Sequence, residues 1–244
     1  MSLEITFATA ARVLRQVRRD RRTLALVLVV PPALMTLFRY VFDGQPETFD
    51  RVGPPLVGLF PFVSMFLVAS ISMLRERTTG TLERLMSMPL AKLDLLLGYA
   101  FAFALLAVAQ ASLTAAVSFG LLGLDSLGPV WLVVVLAVGN AVLGMALGLF
   151  LSAFAQTEFQ AVQFMPAFVL PQVLLAGLLV PRDKMAPLLE LVSYALPLTY
   201  AYDALARATA DELGRRLTVD VLLIAVFVVL ALVLGATTLR RRTV

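Results

Sequence analysis

PVWLVVVLAVGNAVLGMALGLFLSA, residues 129–153, contains no Asp, Glu, Lys or Arg. About 20 apolar residues rising ~1.5 Å each are enough to cross the hydrocarbon core of a bilayer. Five further windows are predominantly apolar, at roughly 23–42, 54–74, 95–121, 161–180 and 220–239, with Arg39 and Asp220 as their charged residues. The chain of 244 residues is 60% hydrophobic and only 15% charged, and its mean hydropathy is +0.92. A soluble globule of this size cannot bury so much apolar surface. The composition therefore reads as an all-α membrane protein with six transmembrane helices.

Six crossings place both ends of the chain on one side, and the basic residues choose the side. Arg12, Arg15, Arg18, Arg19, Arg21 and Arg22, then Arg75, Arg77, Arg84 and Lys92, then Arg240, Arg241 and Arg242 make thirteen on the face shared by the termini, against seven on the other face. By the positive-inside rule the termini are expected in the cytoplasm. The same distribution directs the basic balance toward topology and anionic lipid rather than nucleic acid. A cleaved leader is not expected: the basic arm is long, and no small-residue cleavage signature follows Phe42.

Within the arm, Leu3, Phe7, Ala10, Leu14 and Val17 recur at helical steps opposite the arginines. This predicts a helix over 1–22 lying in the membrane interface, against the alternative of a solvated basic tail. Pro31 and Pro32 fall in mid-span and free carbonyls that need partners in the bundle. The third window carries a small-residue seam, Ala100, Ala104, Ala107, Ala111, Thr114 and Ser118; the fourth carries Asn140, Gly144, Gly148 and Ser152. Such seams let helices approach closely in lipid, and Gln110 and Asn140 suit hydrogen bonds between helices. The stretch 181–219 is too charged and proline-broken to cross. It reads as two short outer helices that dip into the membrane and return, with Asp203 and Arg207 at ion-pair spacing.

The fifth window combines Gln163, Phe164, Met165, Pro166, Phe168, Pro171 and Gln172. Broken helices with amides persist only against protein or a cavity, so a path wall and a buried helix both remain open. Phe60, Phe62 and Met65 of the second window, with Phe164, Phe168, Gln163 and Gln172, form the candidate substrate path.

Between the second and third windows stands MLRERTTGTLERLM, residues 73–86, with three arginines and two glutamates. Leu82, Leu85 and Met86 share a helical face after Gly80, and Pro89 limits the helix. A short amphipathic helix joined stiffly to two spans can receive force from a soluble partner or can anchor a turn. Spacing alone does not separate these readings.

Glu76-Arg77-Thr78-Thr79-Gly80-Thr81-Leu82-Glu83-Arg84-Leu85, with Pro89 and Gly98, resembles the Glu-Arg-x-x-Gly-Thr-Leu-Glu-x-Leu pattern of ABC-2 type permeases, the membrane subunits of bacterial ATP-binding-cassette exporters. The run from Pro197 to Ala204, closing on Arg207, is similar to the same family. The resemblance implies one ABC-2 type domain over 1–244. It makes the loop at 75–94 an ATPase-coupling element carried by Glu76, Arg77, Gly80, Thr81, Leu82, Glu83, Arg84 and Leu85, and makes 181–219 an outer re-entrant region. It also implies two cassette ATPase subunits, a second permease copy as a homodimer or close paralogue, and a bacterial plasma membrane. The compact form resembles exporters of the daunorubicin-resistance type more than those for capsule or O-antigen chains.

The chemistry available to the chain agrees with a transport subunit. His and Cys are both absent, which removes imidazole bases, thiol nucleophiles and the usual zinc sites. No Gly-x-x-x-x-Gly-Lys-Ser/Thr phosphate loop occurs, so ATP and Mg are expected on the partner and no cofactor on this chain. An intramembrane enzyme would want paired carboxylates or a Ser with a base, whereas Asp94, Asp125 and Asp220 stand singly at span ends. A passive channel would not need the charged helix. An importer permease would carry a Glu-Ala-Ala-x-x-x-Gly motif, which the chain lacks.

Overall fold

The computed structural model describes residues 3–87 and 92–238. Among these residues there is helix and no strand. The helices are α1 (Leu3–Arg19), α2 (Arg21–Val41), α3 (Pro46–Thr78), α4 (Thr81–Met86), α5 (Lys92–Gly120), α6 (Val130–Leu151), α7 (Glu158–Leu175), α8 (Pro187–Ser193), α9 (Pro197–Thr209) and α10 (Arg215–Thr238). An all-α membrane protein is what these helices make: α2, α3, α5, α6 and α10 are long and apolar enough to span a bilayer. The fifth window departs from expectation. Only α7 forms there, 18 residues long, about 27 Å at 1.5 Å per residue. It stops before Gly177, whose φ of +103° turns the chain, so the window expected to run to 180 ends five residues early.

Six helices nonetheless run between two ends of the bundle. At one end Arg12 of α1 pairs with Glu76 of α3, Arg75 of α3 with Glu158 of α7, and Gly235 of α10 faces Leu96 and Phe150. At the far end Arg39 of α2 donates to the Leu122 carbonyl, 3.2 Å, and the Asp125 amide to Asp50. There the Gly128 amide also donates to the Thr209 carbonyl, 3.1 Å. Among the described residues, α1 and the last turn of α10 thus lie at the same end, while α8 and α9 stay at the other. Pro197 does not merely separate these two helices: it occupies the first turn of α9, where its missing N–H costs nothing.

The centre of the bundle is the contact of α3 with α6. A Cβ on Gly144 would lie 2.2 Å from the Phe62 carbonyl oxygen, and one on Gly148 2.3 Å from that of Phe66. Backbone meets backbone here because both residues lack side chains, which is how small-residue seams join helices in lipid. The α5 seam is buried at Ala100, Ala107, Ala111, Thr114 and Ser118 and half-buried at Ala104. Gln110 donates to the Val27 carbonyl at 2.7 Å. Val27 lies four residues before Pro31, so this amide satisfies one of the carbonyls that the proline leaves without a donor.

α1 differs from a helix lying only on lipid. Thr9, Ala10 and Val13 are buried, and Gly98 of α5 admits Thr9 so closely that a Cβ there would sit 2.5 Å away. Leu14 and Val17 pack partly on the same core. Leu3 and Phe7, the start of the apolar stripe, remain exposed, with Phe7 edge-on to Phe101.

Candidate functional site

The charged stretch becomes an elbow with three parts. α3 continues for 33 residues, so Arg75, Glu76 and Arg77 belong to its last turn and not to a loop. The turn closes as the Thr79 hydroxyl and amide both donate to the Arg75 carbonyl, at 2.7 and 2.9 Å. Gly80 then takes φ +72°, the left-handed region that glycine enters without a Cβ penalty and that commonly ends helices. α4 starts at once, and the Arg84 amide donates to the Gly80 carbonyl.

Polarity sorts the residues of the elbow. Leu82 is buried in the core that holds Leu95, Leu96 and Tyr99, and Leu85 packs against it. Arg84 is exposed and Thr81 half-exposed; the side chain of Glu83, like Pro89, lies outside the described residues. Glu76 points inward. Its Oε1 accepts from Arg12 Nη1 at 3.1 Å, and Arg12 also reaches the Tyr99 hydroxyl and lies 5.5 Å from its ring centre. Arg77 is half-buried, and its Nε has no hydrogen-bond partner. The eight expected coupling positions therefore divide. Gly80 sets the angle, Leu82 and Leu85 anchor α4, Thr81 and Arg84 face outward, and Glu76 ties the elbow to α1.

Beside the elbow, α1, α2, α3 and α5 enclose a cleft of about 180 Å³. Leu67, Val68 and Ile71 give it an apolar wall, and Gln16, Asp20, Thr23 and Ser72 a polar one. Asp20 caps α2, accepting from the Thr23 hydroxyl and amide at 2.6 and 3.1 Å. These two bonds hold its carboxyl below the usual range.

The expected substrate path is not assembled within one chain. Phe62 and Met65 are wholly buried in different clusters on α3, and Phe60 packs on Phe38 of α2. Phe164 lies by Leu74 and Ile71. Gln163 and Phe168 are exposed. Gln172 is buried, donating to its own helix at the Phe168 carbonyl and accepting from the Leu198 amide at 3.5 Å. These residues were grouped by type, and helical rotation sends successive ones to different faces.

Two charged sets escaped the sequence. At the far end Arg207 contacts Asp203 at 3.7 Å and Asp220 at 3.0 Å, and Arg182 joins Asp203 from the other side. Only the Asp203–Arg207 spacing was legible, and Asp220 is not solitary. At the elbow end Arg75 grips Glu158 through Nε and Nη2, at 2.7 and 3.1 Å, across 83 residues of chain. Among the described residues no group of three or more His, Cys, Asp or Glu could hold a metal ion.

A bundle of helices of membrane-spanning length with a charged elbow at one end is the class of a multi-pass integral membrane protein. The chain belongs to the ABC-2 type transporter family, whose model matches residues 5–209. It is 26% identical over 152 residues to the probable multidrug ABC transporter permease YbhR of Escherichia coli K12, covering 62% of this chain and 41% of that protein. With the corresponding YbhS permease it shares 25% over 170 residues, 69% of this chain and 45% of the relative. ABC transporter G family member 20 of Dictyostelium discoideum is 25% identical over 164 residues, 66% of this chain and 22% of that protein. The alignments thus span less than half the length of these relatives.

Proposed function

We propose that this chain is the permease subunit of an ABC exporter. It moves an amphipathic or lipophilic molecule, such as a drug, an antibiotic or a lipid, out of the cytoplasm or inner leaflet. Energy comes from a separate cassette ATPase that binds ATP and Mg. Two ATPase copies close on each other and drive the elbows of two permease copies together, which switches the pair between inward-open and outward-open forms. The basic bias supports an elbow and termini on the cytoplasmic side, and the membrane is read as the bacterial plasma membrane.

The observation that carries this reading is the elbow. α4 is fixed to the bundle by Leu82 and Leu85 on one side and offers Thr81 and Arg84 on the other. A load on the outward side is passed directly into α3 and α5. The amphipathic cleft next to it supports a cargo with both polar and apolar parts. The two Escherichia coli relatives are named as probable multidrug permeases, which agrees with such a cargo.

Gly80→Pro tests the reading, because proline fixes φ near −65° where this turn needs +72°. With the permease at normal membrane level and co-expressed with its cassette ATPase, Gly80→Pro and Glu83→Lys are expected to abolish both permease-stimulated ATP hydrolysis and efflux. Efflux is scored over a panel of dyes, drugs and lipids. Retention of both activities in both variants would refute the coupling role.

A further inference from the structure

The elbow end and the far end are joined by α7, the least firmly seated of the crossing helices. Its buried residues are only Ala161, Val169 and Gln172. Pro166 and Pro171 remove intrahelical hydrogen bonds from its middle and reduce its stiffness there. What holds its first turn is the last turn of α3: Arg75 binds Glu158 with both prongs of the guanidinium. Leu74, Ala155 and Ala161 form a small separate core at the same place. At its other end Gln172 accepts from the first turn of α9. α9 in turn is tied to α10 by Arg207–Asp220.

We infer that α7 is the strut that carries movement of the elbow to the outer α8–α9 hairpin, and that Arg75 and Glu158 are the positioning residues that make it follow α3. This inference rests on the exporter reading. The Thr79 hydroxyl and amide both bond the Arg75 carbonyl, so a displacement of the turn before α4 also moves Arg75. Both partners are about half exposed, and such pairs add little to stability. A two-pronged Arg–carboxylate contact does fix geometry. Its contribution is registry: α7 cannot slide or rotate at its first turn without breaking two parallel bonds. The two prolines leave a bend in its middle, and because its first turn is clamped to α3 and Gln172 is bonded to α9, movement of the first turn reaches α9 through the bent helix.

The chain has no cysteine, so a single Val173→Cys, half-buried in the pocket between α7 and α9, is a unique reporter. The complex with its cassette ATPase is placed in lipid vesicles and treated with a membrane-impermeant maleimide, without nucleotide and after trapping with ATP, Mg and vanadate. In the parent, trapping should change the alkylation rate by about fivefold or more. Arg75→Glu and Glu158→Arg should each hold the change below about twofold. The charge-swapped pair should restore it, a rescue that loss of mere packing would not give. The strut is overturned if single reversals respond like the parent, if the swap stays as unresponsive as the singles, or if the trapped parent shows no change. Failure of the ATPase to bind or trap at all would instead remove the exporter reading, and the strut with it.

Discussion

Glu76 sits where a carboxylate on a helix end would ordinarily face water, yet α1 covers it. Only 4% of its side chain is accessible, and Arg12 supplies the counter-charge. A buried carboxylate needs such a partner, since removing one side leaves the other to bear its desolvation. Arg12→Ala should therefore lower stability by about 1–3 kcal/mol, read as a fall in thermal midpoint in detergent. Adding Glu76→Gln should return most of the loss, because the orphaned charge goes with it. An undiminished midpoint in Arg12→Ala would show that the pair holds nothing. The motif had marked Glu76 as one of a row of coupling positions. Its spacing in the chain contained no sign that a residue 64 positions earlier would cover it.

α3 and α6 show what an element can announce about itself. The Gly144 and Gly148 spacing in α6 predicted a close helix contact, and the carbonyls of Phe62 and Phe66 occupy the space that side chains would need. Gly144→Val should push the helices apart at a cost of about 1–3 kcal/mol or more, seen as reduced folded yield and lower thermal midpoint. Gly139→Ala, on the same helix with open space about it, is the control that should pass unnoticed. A Gly144→Val protein as stable as the parent would contradict the packing. The identity of the partner helix was not legible, since a seam states that something must approach and not what. Gln110 followed the same logic: its need for a partner was readable, whereas its pairing with the carbonyl freed by Pro31 depended on α2 lying beside α5.

Across the whole molecule, α2 and α10 keep most of their apolar surface exposed; Leu26, Val29, Leu37, Leu222, Val226 and Val229 are examples. Lipid can cover such surface, and under the proposed exporter reading a second permease copy covers part of it. The residues expected to line a path lie on different faces of α3 and α7, and under the proposed exporter reading the path is completed between two copies. Native mass measurement of the purified complex should find two permease chains with two ATPase subunits. One permease chain per complex would dismiss the paired arrangement.

Composition and periodicity by themselves determined the membrane class, five of the windows that become spans, the short helix after Gly80 and the seams, because each depends on local geometry or on transfer from water to lipid. The motif added the family. Tertiary structure alone decided that Glu76 turns inward, that Arg75 reaches Glu158, that Asp220 joins Arg207, and that α7 ends short of its apolar window. Those outcomes depend on which helix faces which. In lipid that choice is made by close packing and by the pairing of the few buried charges, and neither quantity exists until the chain has folded.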